Sequence, residues 1–223
     1  MTVEAIQQRI LKAMHPAHGE EPPEKWQQRK SAQTRERLIE AGIDCVAQSG
    51  FAGLTTAAVA ERCGVSRGAM HHHFATRMEL VSAVVEIVVY RRMQIFLTDY
   101  FAAVAGRAED EMVQIACEAH WQSIHTREYA AYLELAVAAR IDAELAEHFL
   151  PAARRYDEVW IAEMIEAFPQ WAAHWDAMKL ASDFTQAAQM GMLLQEPVMG
   201  RGERMERMRA LLVSTIRTLY ADT

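Results

Sequence analysis

The chain has 223 residues, half of them hydrophobic, which suffices for one domain or for a small domain beside a larger one with a proper core. No apolar run approaches the ~18 residues of a membrane span, and the N-terminal "MTVEAIQQRILKAM" carries charges where a signal peptide has an apolar stretch, so a soluble cytoplasmic protein is expected. The three cysteines, Cys45, Cys63 and Cys117, are far apart with no CxxC pair, which argues against a disulfide framework and a zinc knuckle.

The net charge of −7 argues at first against a nucleic-acid partner, but the charge is uneven. Residues 26–80 carry seven Lys or Arg against five Asp or Glu, whereas residues 81–223 carry 13 against 21. A slightly basic head on an acidic body is the asymmetry to explain. Few glycines and prolines, and apolar residues recurring at three and four, give an all-α fold.

In chain order, residues 2–14 form a short amphipathic helix, with Val3, Ile6, Ile10 and Met14 on one face. "HPAHGEEPPE", residues 15–24, breaks it as a linker. A second helix starts at Trp26 or Ser31 and runs to Ser49, with Gly50 where a C-cap is expected. Thr55 caps a short helix from Thr56 to Cys63. Gly64 ends it, and after Val65 a second cap, Ser66, opens a helix from Arg67 to Phe74. Thr76 caps a long helix from Arg77 to Val104. Further helices are expected near 110–125, 128–140, 142–168, 173–195 and 203–220. Pro151 should bend or divide the 142–168 helix, since it lacks an N–H and crowds the preceding turn. "FPQW" (168–171) and "EPVMGRG" (196–202) read as connections.

The two short helices across 55–74 make a helix-turn-helix pattern, with Val59, Ala60, Val65, Met70 and Phe74 at its apolar positions. Residues 34–85, "TRERLIEAGIDCVAQSGFAGLTTAAVAERCGVSRGAMHHHFATRMELVSAVV", carry TRER at the helix start, Gly50-Phe51, Thr55, AERCGVSRGA, HHF, Thr76-Arg77 and Glu79-Leu80. This stretch resembles the DNA-binding head of the TetR family of bacterial regulators. The family usually has tyrosine at His71, proline at Ala75, lysine at Arg77, alanine at Gly42 and larger apolar residues at Cys45 and Val46. The small residues at 42, 45 and 46 are expected to loosen the core face of the first head helix.

The resemblance implies a domain plan. Residues 1–25 are an N-terminal extension, 26–80 the helix-turn-helix domain and 81–223 a helical ligand-binding and dimerisation domain. The extension is either an arm touching DNA or a helix packed on the head, and its charge of −1 favours packing. The second helix of a helix-turn-helix enters the major groove with its first residues. Arg67 is therefore a candidate for guanine O6/N7, with a phosphate contact as the other reading, and Ala69 for a thymine methyl. Gly68 permits close approach. Thr55, Ser66, His71, His72 and Arg77 form the expected phosphate set. The triplet His71-His72-His73 is not read as a metal site, because successive helical side chains point about 100° apart. No catalytic or cofactor motif is present, so neither an enzyme nor a cofactor is expected.

Met205, Met208, Leu212, Thr215 and Leu219 recur at seam spacing, and Ala181, Thr185 and Ala188 on the preceding helix allow close approach, so a homodimer through the helices near 173–195 and 203–220 is expected. Packing of that stripe within its own subunit is the alternative. The family implies a small-molecule effector site in the body. Its aromatic content points to an apolar or aromatic ligand, with Trp121, His125, Tyr129, Trp160 and Trp175 as lining candidates. The implied partners are a double-stranded DNA operator, that effector and a second copy of the chain, with no membrane. The implied function is a dimeric repressor released from a palindromic operator. The alternatives are a ligand-responsive activator, or a small-molecule-binding helical protein with a vestigial helix-turn-helix.

Overall fold

The computed structural model describes residues 3–16, 26–108, 111–167 and 169–221. Among these it holds ten α-helices, a 3-10 segment and no strand. In order they are α1 (Val3–Met14), α2 (Trp26–Gly53), α3 (Thr56–Cys63), α4 (Arg67–His73), α5 (Arg77–Val104), α6 (Met112–Ser123), α7 (Arg127–Ala138) and α8 (Ala143–Ala167). The 3-10 segment Pro169–His174 then leads into α9 (Trp175–Met199) and α10 (Glu203–Ala221). Most of the expected linker and Phe168 lie outside the described residues. No described helix is long and apolar enough to cross a membrane.

Two compact units form. One draws on Leu11–Gln94 and Thr126–Glu158. Its core gathers Leu38, Ile43, Val46, Leu54, Val59, Met70, Phe74, Leu80, Val84 and Val88 with Leu135 and Leu145 of α7 and α8. The helix-turn-helix thus shares a core with the first half of α5 and with α7. At the α7 N-terminus Arg127 bonds Glu40 Oε2 and Asp44 Oδ1 of α2, each at 2.9 Å, while Arg91 pairs with Glu40. These groups are partly exposed, so each pair contributes at most about 1 kcal/mol, and their main effect is to fix the register of α7 on α2.

The other unit draws on residues up to Ile10, Ile95–His125 and the chain from Val159 on. Here α9 and α10 pack on one another and on α6. The N-terminal helix is packed along its length, with Met14 buried in the unit that holds the helix-turn-helix and its first residues in this one. Ile6 and Ile10 are buried, Gln7 donates to Thr98 of α5 at 3.1 Å, and Arg9 pairs with Glu163 at 2.6 Å and with Glu166 of α8.

Three expectations need correction. First, of the two outcomes expected at Pro151, a bend or a division, the division does not occur: α8 runs undivided through it. Proline frees the carbonyl four residues back, at Glu147, and both residues are exposed, so water can take that carbonyl. Second, α9 continues through Pro197 to Met199, where Gly200 (φ 72) ends it and donates to the Glu196 carbonyl at 2.8 Å. Third, the small residues of α2 do not loosen its core face. A Cβ on Gly42 would stand 2.7 Å from Val84 Cγ2, so the β-branched side chain of α5 already fills that space. Cys45 and Val46 are buried beside it.

The Gly42–Val84 contact sets two effects against each other. Alanine at 42 gains about 1 kcal/mol of helix propensity, while overpacking a stiff buried valine costs about 1–3 kcal/mol. Gly42→Ala should therefore lower the unfolding free energy by about 1 kcal/mol. In a Val84→Ala background the same change should stabilise by about 0.5–1 kcal/mol. Urea unfolding of the four-member cycle measures both; stabilisation by Gly42→Ala in the native background would contradict the packing argument.

Candidate functional site

The helix-turn-helix is built by local caps. Thr55 takes an extended conformation and its Oγ1 accepts from the Ala58 N–H at 3.1 Å, opening α3. Gly64 closes α3 in the left-handed region (φ 69, ψ 33), where a β-carbon would be strained. The Val65 N–H reaches back to the Ala60 carbonyl at 3.0 Å. Ser66 then caps α4, its Oγ accepting from the Ala69 N–H at 3.1 Å. Two caps separated by one residue fix the angle between α3 and α4. Arg37 of α2 ties the pair down by donating to the Cys63 carbonyl at the α3 C-terminus, at 2.9 Å.

This geometry sorts the side chains of α4. Met70 and Phe74 are buried, with the Arg35 guanidinium over the Phe74 ring at 4.8 Å. Arg67, Gly68, His71 and His72 are exposed, and Ala69 is half-buried. His73 is half-buried, and burial, then His72 and Arg35, pushes its pKa below the usual imidazole value. So α4 presents Arg67, Gly68 and Ala69 outward at its capped start, with His71 and His72 further along. The Ser66 hydroxyl spends a lone pair on its cap and keeps its proton to donate.

Arg77 behaves differently from the rest of the expected phosphate set. Its Nε donates to the Leu54 carbonyl at 2.7 Å and its Nη2 to the Phe51 carbonyl at 3.1 Å, with the guanidinium over the Phe51 ring at 4.4 Å. Its first role is therefore internal, tying the start of α5 to the segment leading into α3. Thr76 and Glu79 reinforce that start. Thr76 Oγ1 accepts from the Glu79 N–H at 3.1 Å, and Glu79 Oε2 accepts from the Ala75 N–H at 2.9 Å.

The five ligand-lining candidates do not gather in one unit. Trp121, His125, Trp160 and Trp175 belong to the α9–α10 unit, and Tyr129 to the head unit. His125 bonds the Trp121 carbonyl through Nδ1 and Glu196 Oε1 through Nε2, both at 2.7 Å. Burial opposes ionisation of Glu196, but hydrogen bonds from His125 and Arg201 hold its carboxyl below the usual range. Both ring nitrogens of His125 are thus already engaged. Trp121 is buried with Arg209 over its ring at 5.0 Å, and Trp160 packs edge-on to Phe96 at 5.9 Å. Trp175 is half-buried at the start of α9.

The same unit has a cleft of about 600 Å³ between α6, α9 and α10, lined by Cys117, Glu118, Gln189, Arg209 and Arg217 among others. None of the five candidates lines it. Gln189 is buried, donates to the Cys117 carbonyl at 2.9 Å and bonds His120 Nδ1 at 2.6 Å.

Sequence reasoning missed Arg92. This side chain of α5 is 8% exposed and lies over the Tyr132, Tyr156 and Tyr129 rings at 4.0, 4.6 and 6.0 Å. The signal was available: Val81, Val85, Val88 and Arg92 follow one another at 4, 3 and 4, which places a cation on the buried stripe of α5. Among the described residues no group of three His, Cys, Asp or Glu is arranged to hold a metal.

Comparison with known proteins agrees with the geometry of the head. The family model described as bacterial regulatory proteins, tetR family, matches residues 38–84. The HTH-type transcriptional regulator CymR of Pseudomonas putida is 27% identical over 148 residues, 65% of this chain and 71% of that protein. The uncharacterised HTH-type transcriptional regulator Rv2912c of Mycobacterium tuberculosis is 33% identical over 122 residues, 54% of this chain and 60% of that one. A TetR-family member from Streptomyces coelicolor shares the fold with a TM-score of 0.52 at 21% identity, over 82% of this chain and 97% of its own. The matched regulators are not enzymes. With a capped, outward-facing α4 inside the matched segment, residues 38–84 form a helix-turn-helix head that matches the TetR family of bacterial regulatory proteins.

Proposed function

We propose that the chain is a repressor that grips a palindromic operator as a homodimer and lets go when a small molecule binds its body. The observation that carries the reading is the outward trio Arg67, Gly68 and Ala69 at the start of α4, held there because Met70 and Phe74 are locked in the core. The first turn of such a helix reaches base edges in the major groove. Arg67 would address guanine and Ala69 a thymine methyl, with Gly68 allowing close approach. Thr55, Ser66, His71 and His72 would hold phosphates, and Arg77 would contribute by holding the segment that positions them.

One α4 reads only a few base pairs, so a second copy is needed. The apolar stripe expected to make that contact is largely used inside the subunit. Met205, Leu212, Ala181 and Thr185 are buried in the single chain. Another seam remains free on α9. Leu180, Phe184, Ala187, Gly191, Leu194 and Val198 are all exposed and recur at 4, 3, 4, 3 and 4, the spacing of a helix–helix seam. Val198 is 79% exposed, and Leu211 of α10, at 67%, adds to the apolar face. In a two-fold dimer this stripe would meet its own copy, setting two heads at half-sites about 34–36 Å apart.

The effector would act through α5, which Arg77 fastens to the head. A ligand shifts the equilibrium only by binding the DNA-incompetent arrangement better, and a thousandfold preference corresponds to about 4 kcal/mol.

Two experiments test this reading. On a labelled fragment of DNA upstream of its own gene, Arg67→Ala should leave folding stability within about 0.5 kcal/mol and relax choice at one base pair. Arg77→Ala should lower stability by about 2 kcal/mol, because two charged hydrogen bonds are lost, and weaken binding to all sequences alike. Fluorescence anisotropy on operator and scrambled DNA separates the two, and an equal loss on both for Arg67→Ala would refute base reading. In light scattering, Phe184→Asp with Leu194→Asp should convert a species of twice the 25.2 kDa chain mass into one of single mass. Operator affinity should fall at least about tenfold with it. An unchanged mass would remove α9 from the interface.

A further inference from the structure

Arg92 is a charge in a place built for apolar side chains. It continues the stripe Val81, Val85 and Val88, each of which is fully buried. Its Nε has no hydrogen-bond partner among the described residues, and no described carboxylate pairs with it. The neighbouring arginines are accounted for: Arg91 holds Glu40 and Arg155 holds Glu86. What surrounds the guanidinium is instead Tyr132, Tyr156 and Tyr129, whose ring faces cover it and of which Tyr156 also hydrogen-bonds to it. These phenols supply no counter-charge. Burial, against the pull of Arg92, raises the Tyr129 and Tyr156 pKa values, the latter to about 12, and the Tyr156 hydroxyl lies 3.2 Å from Met93 Sδ. The cage therefore carries one uncompensated positive charge, with an unused N–H, in aromatic surroundings.

A buried guanidinium without an anion is costly, and cation–π contacts with three rings offset only part of the cost. An anion that reaches it gains an interaction undiluted by water. We propose that the Arg92 cage is a binding site for a small monocarboxylate with an apolar body, the guanidinium taking the carboxylate and the tyrosine rings flanking the apolar part. The charge count selects a monoanion, since a phosphate dianion would leave the site net negative. The planar fork of N–H donors fits a carboxylate edge. The proposal deepens the effector reading and rests on it. The cage lies in the same compact unit as the helix-turn-helix, and Arg92 is 15 residues beyond Arg77 on α5, a distance of about 22 Å along a continuous helix. It also revises the expected ligand: an apolar or aromatic body remains, but a negative head is added.

The test uses the full chain with benzoate, phenylacetate and octanoate, each paired with its primary amide, by calorimetry and thermal shift. At least one acid should bind and raise the melting temperature, and its amide should bind at least tenfold more weakly. Arg92→Gln should abolish the preference for acid over amide while leaving far-UV circular dichroism unchanged. Arg92→Lys, which keeps the charge and loses the fork, should bind the acid with intermediate affinity. Equal binding of acid and amide to the native protein, binding by none of the acids, or a preference surviving in Arg92→Gln would each overturn the proposal. The acid–amide comparison needs no variant, so misfolding of Arg92→Gln cannot shield it. Operator release is followed in parallel. Acid binding through Arg92 without release would retire the effector reading and leave the site standing. Release by an amide from both native protein and Arg92→Gln would retire the site and leave the effector reading.

Discussion

The structure of the head turns on one guanidinium. Arg77 stands at the first residue of α5 and donates to the carbonyls of Phe51 and Leu54 while covering the Phe51 ring. Those two carbonyls belong to the short segment after Gly50 (φ 68), where the chain turns from α2 toward α3. The Phe51 carbonyl already accepts from the Leu54 N–H at 3.1 Å and takes a second donor from Arg77, while the Leu54 carbonyl, past the helix end, takes its donor from the Arg77 side chain. Arg77 supplies the donors and in doing so connects the end of α2, the start of α3 and the start of α5. Where α3 begins fixes where Gly64 and Ser66 fall, and they in turn aim α4. The direction in which Arg67 points is thus decided partly by a contact made ten residues later in the chain.

Local chemistry explains what could be read from sequence. Thr55, Gly64, Ser66 and Thr76 each cap through a bond spanning no more than a few residues, so their residue types announce the breaks of the helix-turn-helix. What the sequence concealed depends on partners distant in the chain. Gly42 looks like a void until Val84 is seen filling it. Pro151 and Pro197 look like breaks until the carbonyls they free prove tolerable inside a helix. The Met205–Leu212 stripe and the Leu180–Val198 stripe have the same spacing, and no periodicity argument can tell which is used inside the subunit. Burial decides, and it leaves the α9 stripe outside.

The ligand side was harder for the same reason. Trp121 and His125 are an aromatic and an imidazole four apart on one helical face, which looks like a lined pocket. In the folded chain the His125 ring nitrogens are spent on Glu196 and on the Trp121 carbonyl, and the Trp121 face on Arg209. Aromatic content alone says that rings will be buried, not that a cavity will be left beside them. The more informative residue was the charged one at a buried position. A cation on an apolar stripe demands an explanation that an aromatic there does not, and among the described residues Arg92 obtains tyrosine rings and a neutral phenol but no carboxylate.

The charge distribution fits this division of labour. A body with 21 acidic residues against 13 basic ones repels the DNA backbone, and the head offers an excess of only two cations. On the proposed reading few phosphates are neutralised, so few counterions are released and sequence-independent affinity stays low. Affinity then depends on base contacts from α4 and on two heads acting at once. Such a regulator is easily dislodged, because a modest displacement of one head forfeits the advantage of the pair. Weak electrostatic grip and strict dependence on head spacing are therefore two sides of one design: the less the phosphates hold, the less a ligand has to overcome.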